Sequence, residues 1–371
     1  MLETNMIEER AAAQSAVSAS KIGLKILMSG HPDPSALPSS YLRALAGLGC
    51  QVFPYQHESI ARGGIRGLPL RIRRRIAPAL AFAGVNRGLL DKADEVKPDA
   101  ILIFKGMELF PDTLKALRSR GIKLVSYNPD HPFAFYARGA GNDYIRQGVP
   151  LYDLHVTYSR KIVRDMAEAY PRSRVAVVPF GHDVSDAVFR SIASEGEILR
   201  ACFIGNADEL RRAAVQALLD AGIPVDVFGP RWLKHMKPSA QLGIYGPVFG
   251  EDMHRAMRRY RVQLNFFRPH NLDSHNMRTF EVPASGGIML AEDSPEHRDF
   301  FEADREAFFF RDVDEMAAKA HRILELPRLD AEQIREAARR RCDTGGYSYA
   351  ERARALRAEI EKICLPQSAD A

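Results

Sequence analysis

The sequence predicts an α/β protein built from two doubly wound, Rossmann-like domains that face each other across a cleft. Three observations carry that prediction. Short apolar runs of strand length alternate with amphipathic segments of helix length, the pattern of a parallel sheet with helical crossovers. The alternation stops once, over the polar and aperiodic stretch Val184–Glu197, and begins again at Arg200. A chain of 371 residues is long for one core and comfortable for two. The expected boundaries are an N-terminal extension at 1–20, a first domain at 21–185 and a second at 196–346, hinged near residue 190.

Met1–Ser20 mixes Glu, Arg, Ala and Ser without an apolar centre, so it reads as a frayed helical extension and not as a signal peptide or a strand; on that reading the protein is expected to be cytoplasmic. Leu24–Met28 is the first strand. The loop Ser29-Gly30-His31-Pro32-Asp33 follows, then a helix at Ser39–Leu48 closed by Gly49, then a strand at Gln51–Tyr55. This is the opening of a doubly wound fold, although no Gly-x-Gly-x-x-Gly dinucleotide fingerprint follows the first strand. Ala100–Phe104, Lys123–Tyr127, Leu154–Tyr158 and Val175–Val178 read as further strands, with helices at Asp112–Arg120 and from Ser159 to Tyr170. The loop Asn128-Pro129-Asp130-His131-Pro132 leaves the fourth strand at its carboxyl end, where open α/β sheets carry their chemistry. Pro129 and Pro132 stiffen it; Asp130 reads either as a held carboxylate or as a turn residue. Lys105-Gly106-Met107-Glu108, after the third strand, receives no role from sequence alone.

In the second half, Arg200–Ile204, Val225–Phe228, Val262–Phe266, Gly287–Ala291 and Ala307–Phe310 read as strands. Helices are expected from Gly205-Asn206 to Ala221, at Glu251–Arg259, Asp314–Leu324 and Ala331–Arg341, and over Tyr347–Ile363.

Composition excludes several classes. Hydrophobic residues make up 46% and charged residues 27%, ordinary values for a globular chain, and no apolar run approaches the ~20 residues of a membrane span. Net charge is +5 with a pI near 9.0, which permits an acidic partner without requiring one. Cys50, Cys202, Cys342 and Cys364 lie far apart, without the spacing of a disulfide framework or a zinc site, and no His, Cys and carboxylate set has metal spacing. Asp312-Val-Asp314 has the spelling of an Asp-x-Asp metal-binding motif but reads as a helix cap after a late strand. Ser59–Leu90 carries seven arginines with no lysine and no acid. It reads either as a solvated outer face or, through Arg62–Arg75, as a patch for an anionic membrane surface.

One stretch organises the rest, Asn271-Leu-Asp-Ser-His-Asn-Met-Arg-Thr-Phe-Glu-Val-Pro-Ala-Ser-Gly-Gly-Ile-Met-Leu-Ala291. It lies between two strands and is too long for a hairpin, so a helix from about Met277 to Ala284 is expected, with Gly286-Gly287 at its end. Arg278 and Glu281 then share one face near the first turn. They form either a surface ion pair or a ligand site, because Arg clamps phosphate bidentately and Glu accepts two hydrogen bonds from a sugar diol.

The wording of that stretch, Asn-x-Arg-x-Phe-Glu-x-x-Ala-x-Gly-Gly with an apolar strand and an acidic loop after it, resembles the donor-binding stretch of the spore-maturation CgeB-like glycosyltransferases of the GT-B group. The resemblance is specific over about residues 200–350. It implies the GT-B architecture, a second domain that binds the nucleotide-sugar donor, a first domain that binds the acceptor, and a terminal helix at 347–364 that packs back on the first domain. Asn276, Arg278, Phe280, Glu281, Ala284, Gly286 and Gly287 fall on the family pattern, with Glu281 on the nucleotide ribose; Pro283 departs from it. Gly205, Asn206 and Arg211 or Arg212 would face the donor diphosphate. An Asp-containing turn of the first domain would face the cleft, here Asp130 with His131, and His31 is a further candidate. The implied activity is transfer of a hexose from a nucleotide diphosphate sugar to a glycan, lipid-linked or protein acceptor, in polysaccharide or glycoconjugate biosynthesis. It would need neither metal nor cofactor, would involve no nucleic acid, and would sit in the cytoplasm or at the inner face of the membrane. Two rivals keep the same fold: a nucleotide-sugar epimerase, and a two-lobed nucleotide-sugar-binding protein without turnover.

Overall fold

The computed structural model describes residues 23–30, 33, 36–56, 78–135, 140–193, 195–268 and 273–364. Arg62–Arg75, the extension at 1–20 and His31 lie outside them.

The first sheet contains β1 (Lys25–Gly30), β2 (Gln51–Gln56), β3 (Ala100–Phe104), β4 (Lys123–Tyr127), β5 (Leu154–Thr157) and β6 (Val175–Val177), ordered β2-β1-β3-β4-β5-β6. The second contains β7 (Ile198–Ile204), β8 (Val225–Phe228), β9 (Leu242–Tyr245), β10 (Tyr260–Asn265), β11 (Met289–Glu292) and β12 (Phe308–Phe310), ordered β12-β11-β10-β7-β8-β9. Every pairing is parallel. The strands are apolar on both faces because helices cover both, as in β3, where all five residues are buried. The helices are α1 (Leu37–Gly47), α2 (Pro78–Val96), α3 (Pro111–Ser119), α4 (Asp143–Gly148) and α5 (Arg160–Ala169) in the first half and α6 (Asp186–Ala193) at the junction. The second half has α7 (Glu209–Asp220), α8 (Trp232–His235), α9 (Gly250–Arg259), α10 (Arg278–Ala284), α11 (Pro295–Phe300), α12 (Val313–Glu325) and α13 (Arg328–Thr344), and α14 (Tyr349–Cys364) follows. Each sheet therefore reverses its winding once, between β1 and β3 and between β7 and β10. Open α/β folds bind ligands at the strand carboxyl ends beside such a reversal.

Several expectations change. Val184–Glu197 is not a bare linker: α6 forms within it and buries Ile192, a helix too short for its period to show in sequence. The helix after β7 begins at Glu209 and not at Gly205-Asn206, because Asp208 is the cap, accepting from the Arg211 amide at 3.0 Å. Strand β9 and the one-turn helix α8 were not anticipated. Asp312 caps α12 as expected, accepting from the Glu315 amide at 2.8 Å.

The two halves share an apolar centre. Ile26, Tyr41 and Tyr127 of the first half belong to one buried cluster with Phe280, Phe300 and Tyr347 of the second. The last helix, α14, lies on α1: Tyr349, Ala353, Leu356 and Ile360 face inward, and Arg357 Nη1 donates to the Leu48 carbonyl at 2.8 Å. Among the described residues no helix is long and apolar enough to cross a membrane.

Candidate active site

The carboxyl ends of β7 and β10 open into a cleft of about 420 Å³ between the two sheets. The first half contributes Pro129, Asp130 and Phe180; the second contributes Gly205 and Asn206 after β7, Asn265, Phe266 and Arg268 along and after β10, Asn276 to Arg278 at the start of α10, and Arg211 of α7. A cavity of about 540 Å³ lies elsewhere, beside the amino ends of β3 and β4. It takes in the Arg120–Asp94 ion pair and lies away from the winding reversal, so the smaller cleft is the better candidate.

The second wall of the cleft is cationic. Arg211 is 7% exposed, its guanidinium 5.3 Å from the Phe203 ring, with Nη1 donating to the Asn206 carbonyl at 3.1 Å and paired with Asp208 at 3.2 Å. Its Nε is buried without a partner, as is Nε of Arg278. Burial holds the Arg211 pKa below its ordinary value; Asp208 opposes this, while the like charges of Arg268 and Arg278 add to it. Arg278 pairs with Glu281, which is 8% exposed, so the pair is sunk into the protein and is not a surface pair. Arg268, exposed at the end of β10, was missed in the sequence. Its signal was there: a basic residue two positions past the expected strand Val262–Phe266. Three guanidiniums lining one cleft repel each other and suit an anion with several charged oxygens.

A buried polar chain carries the start of α10. His297 Nδ1 lies 2.8 Å from the Glu292 carbonyl, which can only accept, so this nitrogen bears the proton. Nε2 then accepts from Thr279 Oγ1 at 2.8 Å, and Oγ1 in turn accepts from the Asn276 amide at 3.2 Å. Asn276 Nδ2 donates to Asn265 Oδ1 at 2.7 Å. Burial pushes His297 down to about 4. Asn276 thus lines the cleft while its side chain ties β10 to α10. Asn265, Thr279 and His297 were not singled out in the sequence. Only the Ser294-Pro295 helix start before His297 marked that segment, and Ser294 Oγ does accept from the His297 amide at 3.0 Å.

Other expected residues stand elsewhere. Gly205 lines the cleft, but its amide donates to the Phe228 carbonyl at 2.8 Å and its carbonyl accepts from Trp232 Nε1 at 2.9 Å. Gly286 and Gly287 lie at the far end of α10, where added Cβ atoms would meet Arg258 and Phe189, or the Met257 carbonyl. Their smallness serves close packing of α9. Pro283 sits in the last turn of α10 and leaves Ser285 well placed, its Oγ donating to the Glu281 carbonyl at 2.7 Å. Arg212 is drawn off to Glu209 at 2.7 Å. On the first wall, Asp130 Oδ2 is 2.6 Å from Lys105 Nζ. His131 turns away from the cleft: its ring is buried, Nδ1 accepts from the Ala134 amide at 3.0 Å, and Nε2 therefore donates to Asp165 at 3.1 Å. Among the described residues no group of three or more His, Cys, Asp or Glu is placed to hold a metal ion.

Residues 209–358 match the model of a glycosyl transferase-like family. No curated protein matches the chain. Among solved structures, a sucrose-phosphate synthase from Thermosynechococcus elongatus superposes with a TM-score of 0.68 at 12% identity, covering 91% of this chain and 98% of that one. The chain has the GT-B fold. Anabaena HepE in complex with UDP-glucose matches at 0.61 and 13% identity over 91% and 99% of the two chains. The UDP-GlcNAc 2-epimerase of Neisseria meningitidis, bound to UDP-GlcNAc, matches at 0.55 and 12% over 91% and 100%. In this GT-B chain the family match runs from the start of α7 into α14, and so includes the helices that carry Arg211, Arg278 and Glu281.

Proposed function

We propose that this protein is a glycosyltransferase that moves a sugar, of hexose type, from a nucleotide diphosphate sugar to an acceptor hydroxyl. The observation that carries the reading is the set Arg211, Arg268 and Arg278 on the wall of the second half, all three inside the family match, opposite the carboxylate of Asp130. Three guanidiniums supply the positive charge that a departing diphosphate needs, so the reaction as read here calls for no metal and no cofactor. Glu281 would accept from the ribose diol. Asp130 would serve the acceptor side, as general base or as a clamp on its hydroxyl. HepE with UDP-glucose supports a nucleotide-sugar donor for the same fold. The resemblance to CgeB-type enzymes supports a glycan, lipid-linked or protein acceptor, and Arg62–Arg75 would be the contact with an anionic membrane.

Binding of UDP, GDP, dTDP and CDP by calorimetry tests the donor site. Arg268→Ala and Arg278→Ala should each weaken the bound nucleotide by roughly 1.5–3 kcal/mol, the first with the melting temperature little changed and the second with a lower one, because Glu281 loses its partner. Wild-type affinity in both variants would remove the donor assignment. The match to a 2-epimerase favours one second reading, a nucleotide-sugar epimerase. Mass spectrometry of a donor incubation separates the two: isomerised sugar without an acceptor supports the epimerase, and sugar found on an added acceptor supports transfer.

A further inference from the structure

The segment after β3 carries an unusual backbone. Lys105 adopts a left-handed conformation, φ +65°, with Gly106 behind it at +76°. Glycine or asparagine takes that conformation readily, whereas a lysine is crowded there by its Cβ. Two backbone hydrogen bonds impose it, from the Lys105 amide to the Tyr127 carbonyl at 3.0 Å and from the Gly106 amide to the Phe104 carbonyl at 2.8 Å. β3 and β4 are neighbours with Phe104 opposite Tyr127, so the residues just past their ends meet. What the crowded lysine delivers is its ammonium, 2.6 Å from Asp130 Oδ2, with the carboxylate only 14% exposed. A sparsely populated conformation held at a strand end beside a cleft is a sign of function.

We infer that Lys105 is the positioning residue of Asp130: it holds the carboxylate on the first wall and keeps it off the guanidiniums of the second. The inference rests on the reading of the cleft as a donor site. Arg211, Arg268 and Arg278 line the same 420 Å³ space as Asp130. A carboxylate without a cation on its own wall is drawn toward them and competes with the diphosphate for the same guanidiniums. Lys105 removes that competition and sets the carboxylate where an acceptor hydroxyl meets it.

Three variants test this. Lys105→Asn suits the left-handed backbone and removes the charge, so its melting temperature should equal or exceed that of the wild type. Lys105→Arg keeps the charge. A crystal structure of Lys105→Asn without nucleotide should show the Asp130 carboxylate within hydrogen-bond distance of Arg211, Arg268 or Arg278, and one of Lys105→Arg should show it still on the first wall. A carboxylate that keeps its wild-type position in Lys105→Asn overturns the positioning role. UDP affinity should fall about tenfold in Lys105→Asn and return in Lys105→Asn/Asp130→Asn. Equal UDP affinity in the single and double variants overturns the competition. If the wild type itself binds no UDP, the donor reading fails, and the place of the carboxylate in Lys105→Asn still decides whether Lys105 positions Asp130.

Discussion

His297 shows how one buried side chain fixes the site and makes it sensitive to acid. Its ring lies between Phe267 and Phe309, at 4.9 and 5.5 Å, and its two nitrogens hold the Glu292 carbonyl and Thr279. Burial lowers its pKa from 6.5 to about 4, so the unfolded chain takes up a proton at a pH where the folded one does not. Stability therefore rises with pH across that window, and is lost as the pH falls from about 6.5 toward 4. His182, buried with neither nitrogen partnered and pushed down to about 3, acts in the same direction. The melting temperature should drop between pH 7 and pH 5, and the gap between wild type and His297→Gln should narrow on acidification. A gap that stays constant across thermal scans at these pH values would count against the neutral buried imidazole.

At the scale of elements, the cleft depends on how closely two turns approach. Gly229, after β8, has φ +146°, and an added Cβ would strike the Gly205 carbonyl. That carbonyl is the acceptor for Trp232, so the β7 and β8 turns and α8 lock together and place Asn206 and Arg211 at the cleft. Gly229→Ala should destabilise the fold by roughly 1–3 kcal/mol, and it should also weaken UDP binding by moving the Gly205-Asn206 turn. Urea unfolding and calorimetry check the two effects. A variant with the wild-type midpoint and affinity would show that the approach has slack. The seven-residue α10 works similarly: Asn276 Oδ1 accepts from the Thr279 amide at 3.3 Å at its start, Pro283 lies in its last turn, and between them Arg278 and Glu281 are held together.

At the scale of the whole molecule, the cleft is a seam between halves that share one core. Arg160 of α5 reaches Glu296 and Asp299 of α11, with its amide 2.8 Å from the Glu296 carboxylate and its guanidinium 2.7 Å from Asp299. Glu296 also accepts from His275 Nδ1 at 2.6 Å, and His275 Nε2 takes the Phe180 amide at 3.3 Å. α14 closes the arrangement from behind the first sheet. Leu356 is fully buried on the inward face of α14. Leu356→Ala should cost about 2–5 kcal/mol of stability. Its folded fraction should bind UDP with unchanged affinity, because the site lies at the opposite, carboxyl ends of the strands. Loss of affinity without loss of stability, in denaturant titration and calorimetry, would reverse that assignment.

The sequence alone determined the α/β class, the two windings and the restart near residue 200, because strand length, apolar runs and helix ends depend on neighbours in the chain. Most strands fall within a residue or two of their expected limits, and Ala100–Phe104, Lys123–Tyr127 and Val225–Phe228 coincide with them. It also singled out Asp130, Gly205, Asn206, Arg211, Asn276 and Arg278, which the tertiary structure brings to one cleft. What only the tertiary structure decided is which partners those residues have. His131 is adjacent to Asp130 in sequence yet turns inward to Asp165, because its ring is the acceptor for its own loop. Gly286 and Gly287 continue the motif but serve packing behind α10. Arg268 joins the cations because β10 lies beside β7, and Lys105 meets Asp130, 25 positions away, because β3 lies beside β4. Strand adjacency is set by the burial of whole faces against distant parts of the chain, so no local pattern in the sequence carries it.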